Sequence, residues 1–336
     1  MIARTGAALV FSSLILLACS SGSGTVSSSS GGGGGDALSA CSAYRAAHDD
    51  RSARCRGGSP EAPQFDAFCA RLLAAPGSGF SAALFSTCAQ KLGALPCDQA
   101  ERDAPECDFS SVVGTLPDGA ACGGDYQCAS GECKGGDVED DDLDCGTCAP
   151  RGGVGAACGS GQPSCARGLS CTFSGTDTNV GKCQALGAAG AACDNTGSSS
   201  CGSSLECDNA TKKCVPYPKA GAPCTGICAG SLRCIGGTCQ LGLEAGGSCP
   251  TGGECGSGFT CNSTTKKCEV LARVPVGGAC GTATSGSCER TADCHNGVCA
   301  ARLAAGSPCT TNGVECERYH VCLNGTCTPV DPAVCK

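Results

Sequence analysis

The sequence contains no tryptophan, and aromatic residues make up only 4% of its 336 positions. Aromatic side chains carry much of the burial in ordinary cores. A length that would suit two or three conventional domains therefore does not build them here. The nominal 41% hydrophobic content does not change this, because most of it is alanine and cysteine. Histidine is scarce too: His48, His295 and His320 are the only ones, far apart along the chain. No Gly-x-Ser-x-Gly, phosphate loop or dinucleotide fingerprint occurs on a strand-turn-helix frame. No residue is assigned a catalytic role, and no cofactor or metal is expected. Basic charge is short as well, with 23 Lys and Arg against 31 Asp and Glu and a net charge of −8. That balance argues against nucleic acid and against electrostatic adhesion to anionic lipid.

What the chain has instead is 37 cysteines and 53 glycines. This exceeds the cysteine level that marks a disulfide scaffold. The clearest unit runs from Gly277-Gly278-Ala279-Cys280 to Cys299 and holds Cys280, Cys288, Cys294 and Cys299. Cys294 and Cys299 bracket His295-Asn296-Gly297-Val298, where Asn-Gly supplies the positive φ angles of a tight hairpin turn, so the two cysteines face each other across it. The same ending returns at Cys322 to Cys327 and Cys234 to Cys239, and in longer form at Cys207 to Cys214 and Cys261 to Cys268. In all, the unit recurs seven times between Cys122 and Cys327. Each time a glycine stands three positions before the first cysteine: Gly119, Gly155, Gly190, Gly221, Gly246, Gly277 and Gly306. The first-to-second gap varies while the second-to-third is nearly constant, which makes the former a tolerant loop and the latter a rigid frame. Such a period means an array of small modules. Ordering a module costs roughly 1.5 kcal/mol per residue and each bridge returns about 2–4 kcal/mol, so two bridges per module tip the balance toward folding. Neighbouring modules are expected to share little apolar surface.

The chain divides into residues 1–18, 19–35, 36–110 and 111–336. The first segment has Arg4 and an apolar run from Ala7 to Leu17 that is too short for a permanent membrane span. Its end, Leu16-Leu17-Ala18-Cys19, resembles a bacterial lipobox. The resemblance implies that Cys19 is diacylated on sulfur and, with Ser20 following, that the protein is anchored in the outer membrane by that group. Ser20 to Gly35 is nearly all Ser and Gly, a tether with a mean span of about 20–24 Å. Residues 36–110 read as a small helical domain, with helices over Ala37 to Arg56, Phe65 to Ala75 and Ser81 to Leu92. Cys41 and Cys55 on one continuous helix lie ~21 Å apart and cannot bond each other. In an up-down-up bundle the axial offsets favour Cys41 with Cys69 and Cys55 with Cys88, leaving Cys97 and Cys107 for each other. The expected fold is thus an array of small disulfide-rich repeats, short β-hairpins and loops, preceded by a disulfide-pinned α-helical domain.

The stretch Cys122-x5-Cys128-x4-Cys133-x11-Cys145-x2-Cys148 resembles the opening of the Dickkopf amino-terminal cysteine-rich domain. The whole layout resembles cysteine-rich lipoproteins of myxobacteria, in which a helical cysteine domain precedes such repeats. In the Dickkopf pattern the first cysteine pairs with the third and the second with the fourth. That order implies Cys122 with Cys133, Cys280 with Cys294, Cys288 with Cys299, Cys309 with Cys322, and Cys316 with Cys327. The spacing itself leaves all three connectivities of a module open, Cys294 with Cys299 included. With Cys19 acylated, 36 cysteines remain. One of Cys145 and Cys148 is then extra, as is Cys335, and these two find partners either in each other or by exchange with the helical domain.

Weaker motifs have plainer explanations. Cys145-Gly146-Thr147-Cys148 has redox or zinc spacing but neither a second pair nor a βαβ surround, so structural bridges are expected. The run Glu139-Asp140-Asp141-Asp142-Leu143-Asp144 lacks the glycine and the bidentate glutamate of a calcium loop. The sequons at Asn209, Asn262 and Asn324 fall at hairpin tips, where Asn and Thr serve the turn. The function expected is a non-catalytic, cell-surface lipoprotein scaffold for interaction or adhesion, with an extracellular protein or glycan as partner. A structural envelope stalk is the alternative, and an enzyme or metal protein a distant third. Arg318-Tyr319-His320 and Val215-Pro216-Tyr217 are the groups expected to be exposed for binding.

Overall fold

The computed structural model describes residues 33–56, 61–138, 143–173, 180–193, 201–202, 204–281, 288–310 and 313–335, with backbone alone for 33–35. The signal segment, Cys19, the sequence before residue 33 and the acidic residues 139–142 lie outside the described residues.

Three helices come first: α1 (Gly33–Cys55), α2 (Phe65–Ala74) and α3 (Ala82–Ala94). The Ser81 hydroxyl accepts from the Leu84 N–H and so caps the start of α3. Pro76 and the left-handed Gly77 (φ 71°) follow the end of α2 and turn the chain back. The scarce aromatics gather here. Tyr44 meets Phe85 edge-on at 5.3 Å, and Phe85 stacks on Phe109 at 4.8 Å. Burial, with Glu101 and Glu61 adding to it, holds the Tyr44 phenol above the usual tyrosine range, so it packs as a neutral ring.

Cys41 is bonded to Cys69. The other two bridges correct the expectation from helix offsets: Cys55 joins Cys97, and Cys88 joins Cys107. The reason lies in the loop after α3. Arg54 donates to the carbonyls of Gly93 at 2.7 Å and Leu95 at 3.0 Å, while the buried Arg51 donates to Gln99 O at 2.6 Å and Glu101 at 3.0 Å. These guanidiniums bind the returning chain to the end of α1 and bring Cys97 to Cys55. The 3-10 turn Pro105–Cys107 then lies against α3 and delivers Cys107 to Cys88.

Seven modules follow. In the sixth, Ala292–His295 and Val298–Ala301 pair with Cys294 directly opposite Cys299, and Asn296 and Gly297 take left-handed φ at the tip. The facing cysteines do not bond each other. Cys294 bonds Cys280, and Cys299 bonds Cys288, with Cα separations of 5.8 and 5.5 Å. Each hairpin therefore sends one bridge to each end of its first loop. The same order holds for Cys122–Cys133, Cys309–Cys322 and Cys316–Cys327, and in every other module.

The recurrent glycine has a specific task. Gly277 N–H donates to Cys299 O at 2.7 Å, and all seven equivalents make this bond at 2.7–2.8 Å with φ between 79° and 87°. A Cβ on Gly277 would meet nothing within 4 Å. Gly277→Ala is thus expected to cost about 1–2 kcal/mol through backbone conformation alone. Amide exchange at Cys299, whose N–H binds Gly278 O, reads that loss locally; unchanged protection would refute it.

The modules do not stand apart from the helices. Residues 33–336 form one unit, and in six of the seven modules a residue within three positions of the second cysteine meets the helical hub or the chain just after it. Gln127 donates to Pro76 O, Arg167 to Val112 O and Ser204 to Asp103. Ser231 N–H binds Cys97 O at 2.9 Å, and Ser257 N–H binds Arg56 O at 2.8 Å. In the seventh module Tyr319 stacks on Phe68 of α2 at 4.6 Å, in a core with Val330. The near-constant frame is therefore the docking edge. Finally Cys145 is bonded to Cys335, across 190 residues, clasping the first module to the chain's end. The expectation of little shared apolar surface concerned neighbouring modules, and the buried cores around Cys280 and Cys299 and around Cys309 and Cys327 are separate clusters; what it omitted is the hub on which the array packs.

Candidate functional site

Two adjoining clefts lie where the hub, the fifth, sixth and seventh modules meet, and they share one residue, Arg290. In most linkers the fourth cysteine is followed seven positions later by the next glycine, as from 148 to 155 or 299 to 306. From Cys268 to Gly277 the interval is nine. This longer linker contributes Leu271 and Arg273 to the first cleft, of about 640 Å³. Asp49, Ser52 and Arg56 from the end of α1, and Glu244 and Phe259 from the fifth module, complete its lining. The second cleft, of about 560 Å³, is bounded by Glu61, Pro63 and Gln64 before α2, by Arg302, and by Glu317 and Arg318.

Local chemistry orients these groups. Arg56 donates Nη1 to Gly242 O at 3.1 Å and pairs with Glu244 at 2.9 Å. Arg273 and Arg302 play matching parts, each donating to the carbonyl of the next module's second cysteine, Cys288 at 3.3 Å and Cys316 at 3.2 Å. Asp49 accepts from the Glu61 N–H at 2.8 Å. Arg302 pairs with Glu315 at 2.6 Å. Glu317 accepts from Gln64 and from the Ala305 N–H. Guanidiniums gripped along one edge by carbonyls are held in place, which lowers the ordering cost of a ligand.

The other expected groups fall elsewhere. Tyr319 and His320 are 4% and 9% exposed, so neither forms a binding face; Tyr319 docks on Phe68 of the hub, and of the three only Arg318 reaches a cleft. The exposure expected of them is lost because the rigid frame that carries them is the edge that meets the hub. Tyr217 is half-buried. Cys145 and Cys148 belong to different bridges, with Cys335 and Cys128, so Cys145 is the additional cysteine of the first module. Sulfur triplets such as Cys122, Cys128 and Cys133 lie within 4.8 Å of one another. All three are in disulfides and offer no thiolate to a metal. His48 sits beside Asp49 and Glu101, at 3.6 and 4.0 Å, far in sequence from the hairpin His295. At the sequon Asn262 the side chain accepts from the Thr264 and Thr265 N–H groups at 2.9 and 3.0 Å, and Asn324 takes φ 51° at its hairpin tip, both as a turn requires.

The clefts were missed in the sequence because the walls of the first come from five separate segments and those of the second from four. The one local signal was the nine-residue interval.

These features define a cysteine-rich scaffold in which disulfides pin an array of hairpin modules to a helical hub. No family model matches the chain, and no solved structure matches it. Over 187 residues it is 31% identical to the cell-cell adhesion glycoprotein 64 of Heterostelium pallidum, a span that covers 50% of this chain. That span is 53% of the relative, so the chain matches about half of that protein's length. Among the described residues no helix is long and apolar enough to cross a membrane.

Proposed function

We propose that the protein is a cell-surface adhesion scaffold without catalytic activity, which binds an extracellular partner through the face that carries the two clefts. The observation that carries this reading is the likeness to a protein named for cell-cell adhesion. The clasped array supports it, since modules folded back on a hub form a recognition body rather than an extended stalk. In this proposal Cys19 is the acylated anchor, the protein belongs with the cysteine-rich lipoproteins whose layout it resembles, its modules are of the Dickkopf-like kind, and its place is the outer membrane. Nucleic acid is not a partner for a chain of charge −8.

The test uses a Cys19→Ala protein. It is expected to leave the membrane fraction for the soluble one, and beads coated with it are expected to adhere to cells of the source organism until a dithiol reduces the bridges. Retention in the membrane would refute the anchor, and beads that never adhere would refute the adhesion reading.

A further inference from the structure

A third cleft, of about 750 Å³, is lined by the fourth and fifth modules and lies in the size range of small-ligand sites. The first loops of the two modules form its walls, with Ile227 from one and Glu254 from the other, and the hairpin of the fourth adds Arg233. Among the described residues Glu254 is the only carboxylate in this lining and Arg233 the only cation. Glu254 is 3% exposed, and its Oε1 accepts from the Thr251 N–H at 2.9 Å and from the Thr251 hydroxyl at 2.5 Å. Its Oε2 is buried and accepts no hydrogen bond, a cost that a donor on a ligand would relieve. Burial acts to raise the Glu254 pKa, but the Thr251 hydroxyl and N–H groups of the same loop outweigh it and hold the carboxyl below its usual range, so the group is an anion.

Arg233 is exposed, and neither it nor Glu254 is in an ion pair with the other or with any described residue. Two opposite charges that line one cleft and leave each other unpaired suit a ligand that carries both. The glycines beside them add a second sign. Gly226 and Gly253 also line the cleft, yet neither takes a left-handed φ, and a Cβ on either would meet no atom within 4 Å. Folding therefore does not require glycine at these two positions, whereas bare backbone lets the main chain of a ligand come close.

We infer that this cleft binds a short peptide by its free ends, Glu254 taking the ammonium at one end and Arg233 the carboxylate at the other. An ammonium supplies the donor that Oε2 lacks, and a guanidinium fork matches a carboxylate in two parallel bonds. Capture of peptide termini is a known mode of recognition. Ile227, 64% exposed, offers apolar surface to the side chain between the ends. A sugar fits less well, since no aromatic ring lines the cleft. A hard cation fits less well too, because it takes about six oxygen ligands, and here one carboxylate is accompanied by a guanidinium that repels it. The site goes beyond the adhesion reading and shares no residue with the two clefts that carry that reading.

The test is calorimetric titration of the full chain in detergent with three forms of trialanine: free at both ends, acetylated at the amino end, and amidated at the carboxyl end. The free form is expected to bind, and each blocked form to bind about tenfold or more weakly, as loss of a charge-assisted bond predicts. Glu254→Gln keeps the shape of the side chain and an acceptor for Thr251, and it should abolish the preference over the acetylated form alone. Arg233→Gln should abolish the preference over the amide alone, while Arg102→Ala, exposed on the hub, should alter neither. Circular dichroism confirms that the variants fold, and since Arg233 is exposed its variant decides the matter even where Glu254→Gln disturbs its loop. Equal binding of the three forms, no binding of the free form, or a preference over the amide that survives in Arg233→Gln would overturn the assignment.

Discussion

Cys145→Ala with Cys335→Ala is expected to loosen the seventh module and the chain's end from the hub while leaving the other modules folded. The bridge spans 190 residues and is the only one among the described residues that joins the first module to a distant part of the chain. Closing so long a loop constrains the unfolded chain by about 4–5 kcal/mol in the chain-entropy account, the modules' own bridges having shortened the effective loop. The loss should be uneven. Each module keeps its two bridges, so the hairpin at Cys294 and Cys299 should hold its amide protection. Protection at Val330, whose N–H donates to Tyr319 O at 2.9 Å, and at Cys335 should fall by orders of magnitude. Equal protection of these amides in the variant and the parent would show that the clasp carries no load.

Tyr319→Ala should be comparably severe by a different route. The ring is 4% exposed, lies nearly parallel to Phe68 with centroids 4.6 Å apart, and meets Phe65 edge-on at 6.0 Å. Its hydroxyl donates to Glu61 at 2.8 Å, and Arg71 holds Val330 O beside it at 2.7 Å. Burial pushes the Arg71 guanidinium below its ordinary value. Truncating a buried aromatic in this setting costs about 3–5 kcal/mol. Tyr319→Phe keeps the ring and loses one hydrogen bond, about 1 kcal/mol. Denaturant midpoints followed by hydrogen exchange in the seventh module separate the two. A Phe variant as damaged as the Ala variant would mean that the Glu61 bond, and not stacking, joins module to hub.

The contrast between these contacts and the module frame shows where the sequence was readable. Asn296-Gly297, the left-handed glycines and the cysteine spacing determined the hairpins, the number of modules and the need for disulfides. All of these are local: a turn that needs positive φ, or a chain too poor in aromatics to fold without bridges, declares itself within a few residues. The helices were legible for the same reason, Pro76-Gly77 marking where the second stops. Spacing alone left partner choice among the facing cysteines open, since Cys294 lies opposite Cys299 and yet bonds Cys280; the resemblance to the Dickkopf order implied the pairing that is found. Only the tertiary structure decided that Cys55 meets Cys97, because two arginines of α1 capture carbonyls about forty residues away. It also decided that Tyr319 is a buried anchor and that Cys145 closes on Cys335. The nine-residue interval before Gly277 stood in the sequence throughout, but a longer linker opens a cleft only when there is a hub to stand away from. Such contacts join segments up to 259 residues apart, as Arg71 and Val330 are. No periodic signal along the chain records them, because the burial that fixes them exists only once both sides are in place.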